Sequence, residues 1–333
     1  MRFRRTLIVI LVLVVAAGIC AAWLHHALWG VRAPRAVDLE ITAGTPARQI
    51  LTRLQIEELL PSPIAARIYL RFKGGGRSLH YGHYVFAAGI RPVGVLEQLL
   101  AGRVAMFTVR VVEGQRAATI AEHFESMGVG SVAEWETLVS KVGWIAAIAP
   151  EAPSLEGFLF PDTYRFAVGI SAEAAVRHLI DRFEVVWQQE AAQAGDPWGS
   201  PLEVVTLASL VEAETSVASE RARIAGVFLN RLRRGMLLQC DPTVIYALQI
   251  HDLWRGRLLR KDLKVDDPYN TYRYPGLPPG PINSPGRAAL AAALQPEASS
   301  YLYFVANPDG GHSFSRTLGE HNRAVARLRR ARR

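Results

Sequence analysis

The chain has 333 residues, 50% apolar and 20% charged, with Gly and Pro spread along it, which excludes a disordered or low-complexity polymer and leaves room for two or three cores. The net charge is +8, much of it between Arg327 and Arg333, but no zinc-finger spacing or aromatic–basic strand motif accompanies it, so a nucleic-acid partner is not indicated. The two cysteines, Cys20 and Cys240, are too far apart in context to imply a disulfide, and no Cys/His cluster has metal-ligand spacing.

The N-terminus reads Arg2, Arg4 and Arg5 followed by an uncharged run from Leu7 to Leu24. That length is just enough to span a bilayer, and arginines on one flank stay cytoplasmic. The run exceeds a usual signal-peptide core, and no A-x-A site precedes a polar start. Ala17-Gly18-Ile19-Cys20 departs from a lipoprotein box because Ile19 is bulky. The reading is therefore a single-pass anchor in the cytoplasmic (inner) membrane: residues 1–29 form the cytoplasmic tip and span, 30–37 a linker, and the rest is exported.

After the linker a pattern repeats. Ile41, Gly44, Ile50 and Leu54 stand in the same relative positions as Val111, Gly114, Ile120 and Phe124, each set reading as strand, glycine turn and helix. The first unit continues through a helix from Ile64 to Phe72, an alternating strand from Tyr81 to Phe86 and a helix from Pro92 to Leu100. Residues 38–103 resemble the small LysM-like modules that hold glycan strands, which makes Tyr81, Tyr84 and Phe86 candidates for sugar contact; strand aromatics serve equally as packing. The second unit leads through Glu156-Gly157-Phe158-Leu159-Phe160-Pro161-Asp162-Thr163-Tyr164 to a helix from about Ala172 to Gln193.

Ser200-Pro201-Leu202-Glu203 is a helix start: a capping serine, proline at the first helical position, and a glutamate that reaches back. On a wheel of about 100° per residue, Leu207, Leu210, Val211 and Ala218 form one apolar stripe with Glu214 in its middle. Glu212 points to nearly the opposite side, so the two carboxylates are read as one buried and one exposed. A buried carboxyl has a raised pKa, which a general acid needs near neutral pH. The same position suits a structural carboxylate paired with Arg221 or Arg223, and the wheel does not choose between them.

Ala208-Ser209-Leu210-Val211-Glu212-Ala213-Glu214-Thr215 resembles the signature helix of the YceG/MltG family, the endolytic murein transglycosylases. The resemblance continues in order through Val227-Phe228-Leu229-Asn230-Arg231-Leu232, Leu238-Gln239-Cys240-Asp241-Pro242-Thr243, Tyr269-Asn270-Thr271-Tyr272, Gly276-Leu277-Pro278-Pro279-Gly280, Ser284-Pro285-Gly286 and Gly310-Gly311-His312-Ser313-Phe314. It implies an α+β protein with a transmembrane helix, a LysM-like module and a larger mixed α/β catalytic domain over 104–333. The implied activity is a nonhydrolytic cut between N-acetylmuramic acid and N-acetylglucosamine in peptidoglycan strands. It leaves 1,6-anhydro ends and terminates growth of nascent strands beside cell-wall synthases, with no cofactor or metal.

The resemblance places the catalytic acid/base on Glu214 and an acidic neighbour on Glu212. Gln239, Asp241, Asn270 and Tyr272 are the right side chains for sugar hydrogen bonds, though Asn and Asp also lock loops. Cys240 stands where serine or threonine is expected and reads as a small packed residue, and His312 as a hydrogen-bonded structural group. The rival readings are a hydrolase of the same bond, with Asp241 as its second carboxylate, and a noncatalytic wall-binding scaffold.

Overall fold

The computed structural model describes residues 2–73, 79–195, 197–308 and 310–331. Its first helix, α1 (Arg2–His25), runs into a π-helical turn at His26–Gly30. The stretch Phe3–Gly30 is long and apolar enough to cross a membrane. This helix outruns the uncharged segment 7–24 because backbone hydrogen bonding carries it through the arginine flank and past Leu24.

The chain divides into two compact units, Met1–Thr108 with Arg165–Gly169, and Val109–Tyr164 with Ile170–Arg333. In the first, β1 (Val37–Ile41) alternates buried and exposed residues, as a half-buried strand must. Helices α2 (Ala47–Ile56) and α3 (Pro63–Lys73) follow, then β2 (Gly82–Phe86) and α4 (Pro92–Leu100). β2 returns antiparallel to β1, with Val37 opposite Phe86 and Ile41 opposite Gly82. Tyr84 and Phe86 are wholly buried and their rings stack, so they build the core and are not the sugar contacts considered for them; Tyr81 is exposed.

Segment 30–37 is not a free linker. Ala33 is buried, its N–H donates to the Ile90 carbonyl at 2.9 Å, and its own carbonyl accepts from Gly89 N–H at 2.8 Å. Ala27 and Leu28, from the turn after the apolar helix, join the same core as Leu39, Ile50 and Tyr84.

The sequence repeat corresponds to a structural one. β3 (Met106–Arg110) leads through a turn into α5 (Ala117–Ser126), as β1 leads into α2. Gly44 and Gly114 hold the turns at φ of 81° and 78°, a region that favours glycine. Ile50 and Leu54 fill one core, Ile120 and Phe124 the other.

The second unit continues with α6 (Val132–Val139) and the long α7 (Ala172–Ala194); between them β4 (Thr163–Ala167), whose residues from Arg165 onward belong to the first unit, pairs with β3. Next come α8 (Pro201–Glu214), α9 (Arg221–Arg233), α10 (Asp241–Ile250) and α11 (Arg287–Leu294). A hairpin of β5 (Tyr303–Ala306) and β6 (His312–Ser315) and a final α12 (Leu318–Ala331) complete it. α8 is the hub, packed on α9, α10 and α11, while α11 also touches α7 and α9.

Candidate active site

α8 begins with the anticipated capping box. Ser200 Oγ accepts from Glu203 N–H at 3.3 Å, the Glu203 carboxylate accepts from Ser200 N–H at 2.7 Å, and Pro201 opens the helix. Its interior departs from the wheel. Every residue from Val204 to Val211 is buried, so α8 is a core helix covered on all sides. Ala218, counted on the stripe, lies outside α8 in a separate, exposed 3₁₀ turn. The helix ends at Glu214, where Thr215 turns extended.

Glu212 is not the exposed partner expected for it. Its side chain is only 8% exposed, Oε2 accepts from Gly286 N–H at 2.9 Å, and Oε1 lies 3.6 Å from the Arg221 guanidinium. Both glutamates line one cleft of about 930 Å³, whose walls also carry Glu113, Glu190, Arg221 and Arg287. The helix end, where α8 meets the start of α11, exposes both faces of the wheel to this cleft; Glu212 is tied to the wall by Gly286 and Arg221, and Glu214 is not.

Glu214 is held by one side chain. Oε1 accepts from the Cys240 thiol at 3.1 Å, and Oε2 has no hydrogen-bond partner among the described residues. Burial pushes the carboxyl above its ordinary range, and the charge of Asp241 adds to this. The thiol bond and the positive charges of His312 and Arg231 oppose it. The net effect keeps a proton on Glu214 at higher pH than an exposed glutamate would.

Cys240 is the N-cap of α10, and it is locked in place. Its N–H donates to Thr271 Oγ1 at 3.0 Å, its carbonyl accepts from Thr243 Oγ1 at 2.7 Å, and the two threonine hydroxyls share a bond of 2.9 Å. A small packed residue was anticipated here; the thiol is that, and it also contacts the acid directly. A thiol is a weaker donor than a hydroxyl. Cys240→Ser is therefore expected to stabilise the Glu214 carboxylate and move the basic limb of the pH–rate profile to lower pH. Cys240→Ala, which removes the donor, moves it higher. The sign follows because an acid catalyst works while protonated, so activity falls as pH rises through its pKa. Profiles of kcat/KM for the three proteins check the order Ser, Cys, Ala; coincident limbs would show that the thiol does not tune the acid.

The other anticipated site residues divide. Asp241 is exposed beside Glu214, and Tyr272 donates its hydroxyl to Asp241 Oδ1 at 2.5 Å. Burial and this bond push the Tyr272 phenol well up, so it stays a neutral donor. Gln239 is exposed in a left-handed conformation at φ of 50°, fixed by its N–H to the Thr271 carbonyl. Asn270 is fully buried: its Nδ2 donates to the Leu263 and Val265 carbonyls at 3.1 and 2.7 Å, and its Oδ1 accepts from Tyr272 N–H at 3.0 Å. It is a loop lock and has no face left for a sugar.

His312 is structural in the manner expected. Its Nδ1 meets Glu220 Oε2 at 2.6 Å, and its N–H donates to Glu220 Oε1 at 2.9 Å. Sequence reasoning missed Arg231, a buried guanidinium that donates to the Leu302 and Leu238 carbonyls and places positive charge near Glu214. It also missed Glu113, Glu190 and Arg287 in the cleft; they come from three distant segments, and no local pattern marks their meeting.

The YceG-like family matches residues 39–327 of the chain. An endolytic murein transglycosylase of Bacillus subtilis (strain 168) is 33% identical over 310 residues, spanning 86% of this chain and 83% of that protein. One from Streptococcus pneumoniae serotype 2 (strain D39) is 34% identical over 190 residues, spanning 52% of this chain and 32% of the relative. Among solved structures, a yceG-like protein from Listeria monocytogenes is 30% identical with a TM-score of 0.57, covering 87% of this chain and 99% of that one.

Proposed function

Because the chain belongs to the YceG-like family, we propose that it is a lytic transglycosylase of peptidoglycan in which Glu214 serves first as acid and then as base. The observation that carries this reading is a partly buried carboxyl at the open end of α8, held on one oxygen by Cys240 and free on the other, facing a cleft.

The reaction balances on one residue. Protonated Glu214 gives its proton to the bridging oxygen as the bond from the muramic C1 to that oxygen breaks. The resulting carboxylate takes the proton of the muramic C6 hydroxyl while that oxygen closes onto C1. Glu214 ends as it began. Because the nucleophile is part of the substrate, attack gains the proximity advantage of an intramolecular reaction.

Hydrolysis of the same bond calls for a second carboxylate across the sugar. Asp241 is the candidate named for that role, but its Oδ1 is engaged by the Tyr272 hydroxyl and it does not line the cleft. A noncatalytic scaffold gives no reason to leave one oxygen of a buried acid unbonded beside a cleft.

The remaining parts of the reading follow the same premise. The helix Phe3–Gly30 is a single-pass anchor in the cytoplasmic membrane, with Arg4 and Arg5 inside and the chain after Gly30 outside. The first unit, with its strand–helix–helix–strand order, is a LysM-like module that guides the strand. Anchorage keeps the enzyme beside nascent strands and their synthases, where an internal cut terminates elongation.

Mass spectrometry of strands digested by the full-length protein tests the chemistry. The expected new ends are 1,6-anhydro-muramic residues, one water lighter than hydrolysed ends. Reducing muramic ends without the anhydro form would exclude the intramolecular attack and return Asp241 to consideration.

A further inference from the structure

Away from the cleft, in the first unit, α2 and α3 enclose a groove of about 990 Å³ with Leu51, Ile64 and Ile68 in its lining and Arg48, Arg67 and Arg71 around it. α3 places Ile64, Arg67, Arg71 and Phe72 on its outward face, and Ala65, Ala66 and Tyr69 on its buried one. Ile64 is 63% exposed and Phe72 84%. The helix carries no acidic residue, and none of the three arginines has an ion-pair partner among the described residues. Large apolar side chains beside unpaired guanidinium groups match a ligand that is itself apolar at one end and anionic at the other.

The position of the groove narrows the choice. Ala27 and Leu28, from the turn that ends the apolar helix, share the core with Ala65, Ala66 and Tyr69 of α3. The Trp29 ring meets Tyr69 edge-on at 6.2 Å. α3 is thus packed directly against the residues that would leave the bilayer, within reach of the headgroup layer. Guanidinium groups bind phosphate through paired N–H bonds, and basic amphipathic helices settle at anionic lipid surfaces.

We propose that the groove between α2 and α3 is a site for an anionic phospholipid of the outer leaflet, its phosphate on Arg48, Arg67 and Arg71 and its glycerol and upper chain against Ile64, Ile68 and Phe72. This rests on the anchored reading above. The lipid gives the first unit a second hold on the membrane surface beside the packing of Ala27 and Leu28 into its core.

The test uses the full-length protein in nanodiscs of phosphatidylcholine alone and of two parts phosphatidylcholine to one part phosphatidylglycerol. Hydrogen exchange of the peptide covering 63–73 is expected to slow by roughly threefold or more in the anionic discs, because a bound lipid suppresses local opening. The Arg67→Glu/Arg71→Glu double variant, both exposed positions, is expected to lose that difference while its circular dichroism stays unchanged. Equal exchange in the two discs, or protection that survives in the double variant, would overturn the site. Failure to enter either disc would overturn the anchor itself, and the two failures are told apart by whether protein and disc co-elute.

Discussion

Glu214→Gln is expected to lower strand cleavage by about a hundred- to ten-thousand-fold, the usual worth of a positioned acid/base group, with little change in melting temperature. The amide keeps the shape of the carboxyl, and its oxygen still accepts from Cys240. It lacks the proton that the leaving oxygen needs and cannot become the base that follows. Nothing in the packing of α8 depends on the charge, since Glu214 has no ion-pair partner among the described residues. Glu212→Gln should behave oppositely. The Glu212 carboxylate is buried, faces Arg221 and accepts from Gly286 N–H at the start of α11. Neutralising it leaves the Arg221 charge without its partner, so a stability loss of about 1–3 kcal/mol is expected with a smaller fall in activity. Cleavage rates and melting curves for both variants decide the assignment. If Glu212→Gln were the inactive, stable protein, the roles given to the two residues would be exchanged.

The difference between those glutamates shows where sequence reasoning reached and where it stopped. The start of α8 was legible because a capping box is local: Ser200, Pro201 and Glu203 satisfy one another within four residues. The glycine turns at Gly44 and Gly114 were legible for the same reason, since a positive φ leaves a mark on the residue type. The wheel failed because it assumes one wet face. α8 has none between Val204 and Val211, so angular position said nothing about which glutamate is buried. What separates Glu212 from Glu214 is a backbone N–H from Gly286 and a thiol from Cys240, both delivered by distant segments. Asn270 was ambiguous in kind, because the same amide can bind a sugar or lock a loop, and only its complete burial decides for the loop. Segment 30–37 looked like a linker because the contacts of its buried residues lie far along the chain: Ala33 is paired with Gly89 and Ile90, and Val37 stands opposite Phe86.

Gly157→Ala should be among the most damaging single substitutions in the second unit, although it adds one methyl and lies outside the cleft. Gly157 sits at φ of 86°, and a Cβ there would fall against the Pro281 ring, within 2.5 Å of its Cγ. A proline ring has no rotamer by which to yield, so the chain must move. Strain at a left-handed residue costs about 1–2 kcal/mol, and overpacking adds about 1–3. Gly235 provides the control: at φ of 64° it shares the conformation, but a Cβ there meets nothing within 4 Å. Gly235→Ala should therefore pay the first cost alone. The segment that Pro281 begins is stitched to α8, with Ile282 N–H donating to Ser209 Oγ at 3.1 Å and Asn283 Nδ2 to the Ser209 carbonyl at 2.9 Å. It then reaches Gly286, whose N–H holds Glu212 at the cleft wall. Displacing Pro281 thus disturbs the wall of the cleft that Glu214 lines as well as the core. Melting temperatures of the two alanine variants are expected to differ by several degrees, roughly 2–4 °C for each kcal/mol, with cleavage impaired in Gly157→Ala even where it remains folded. Equal melting of the two would mean that Pro281 gives way without cost and that the packing behind the cleft is looser than its geometry indicates.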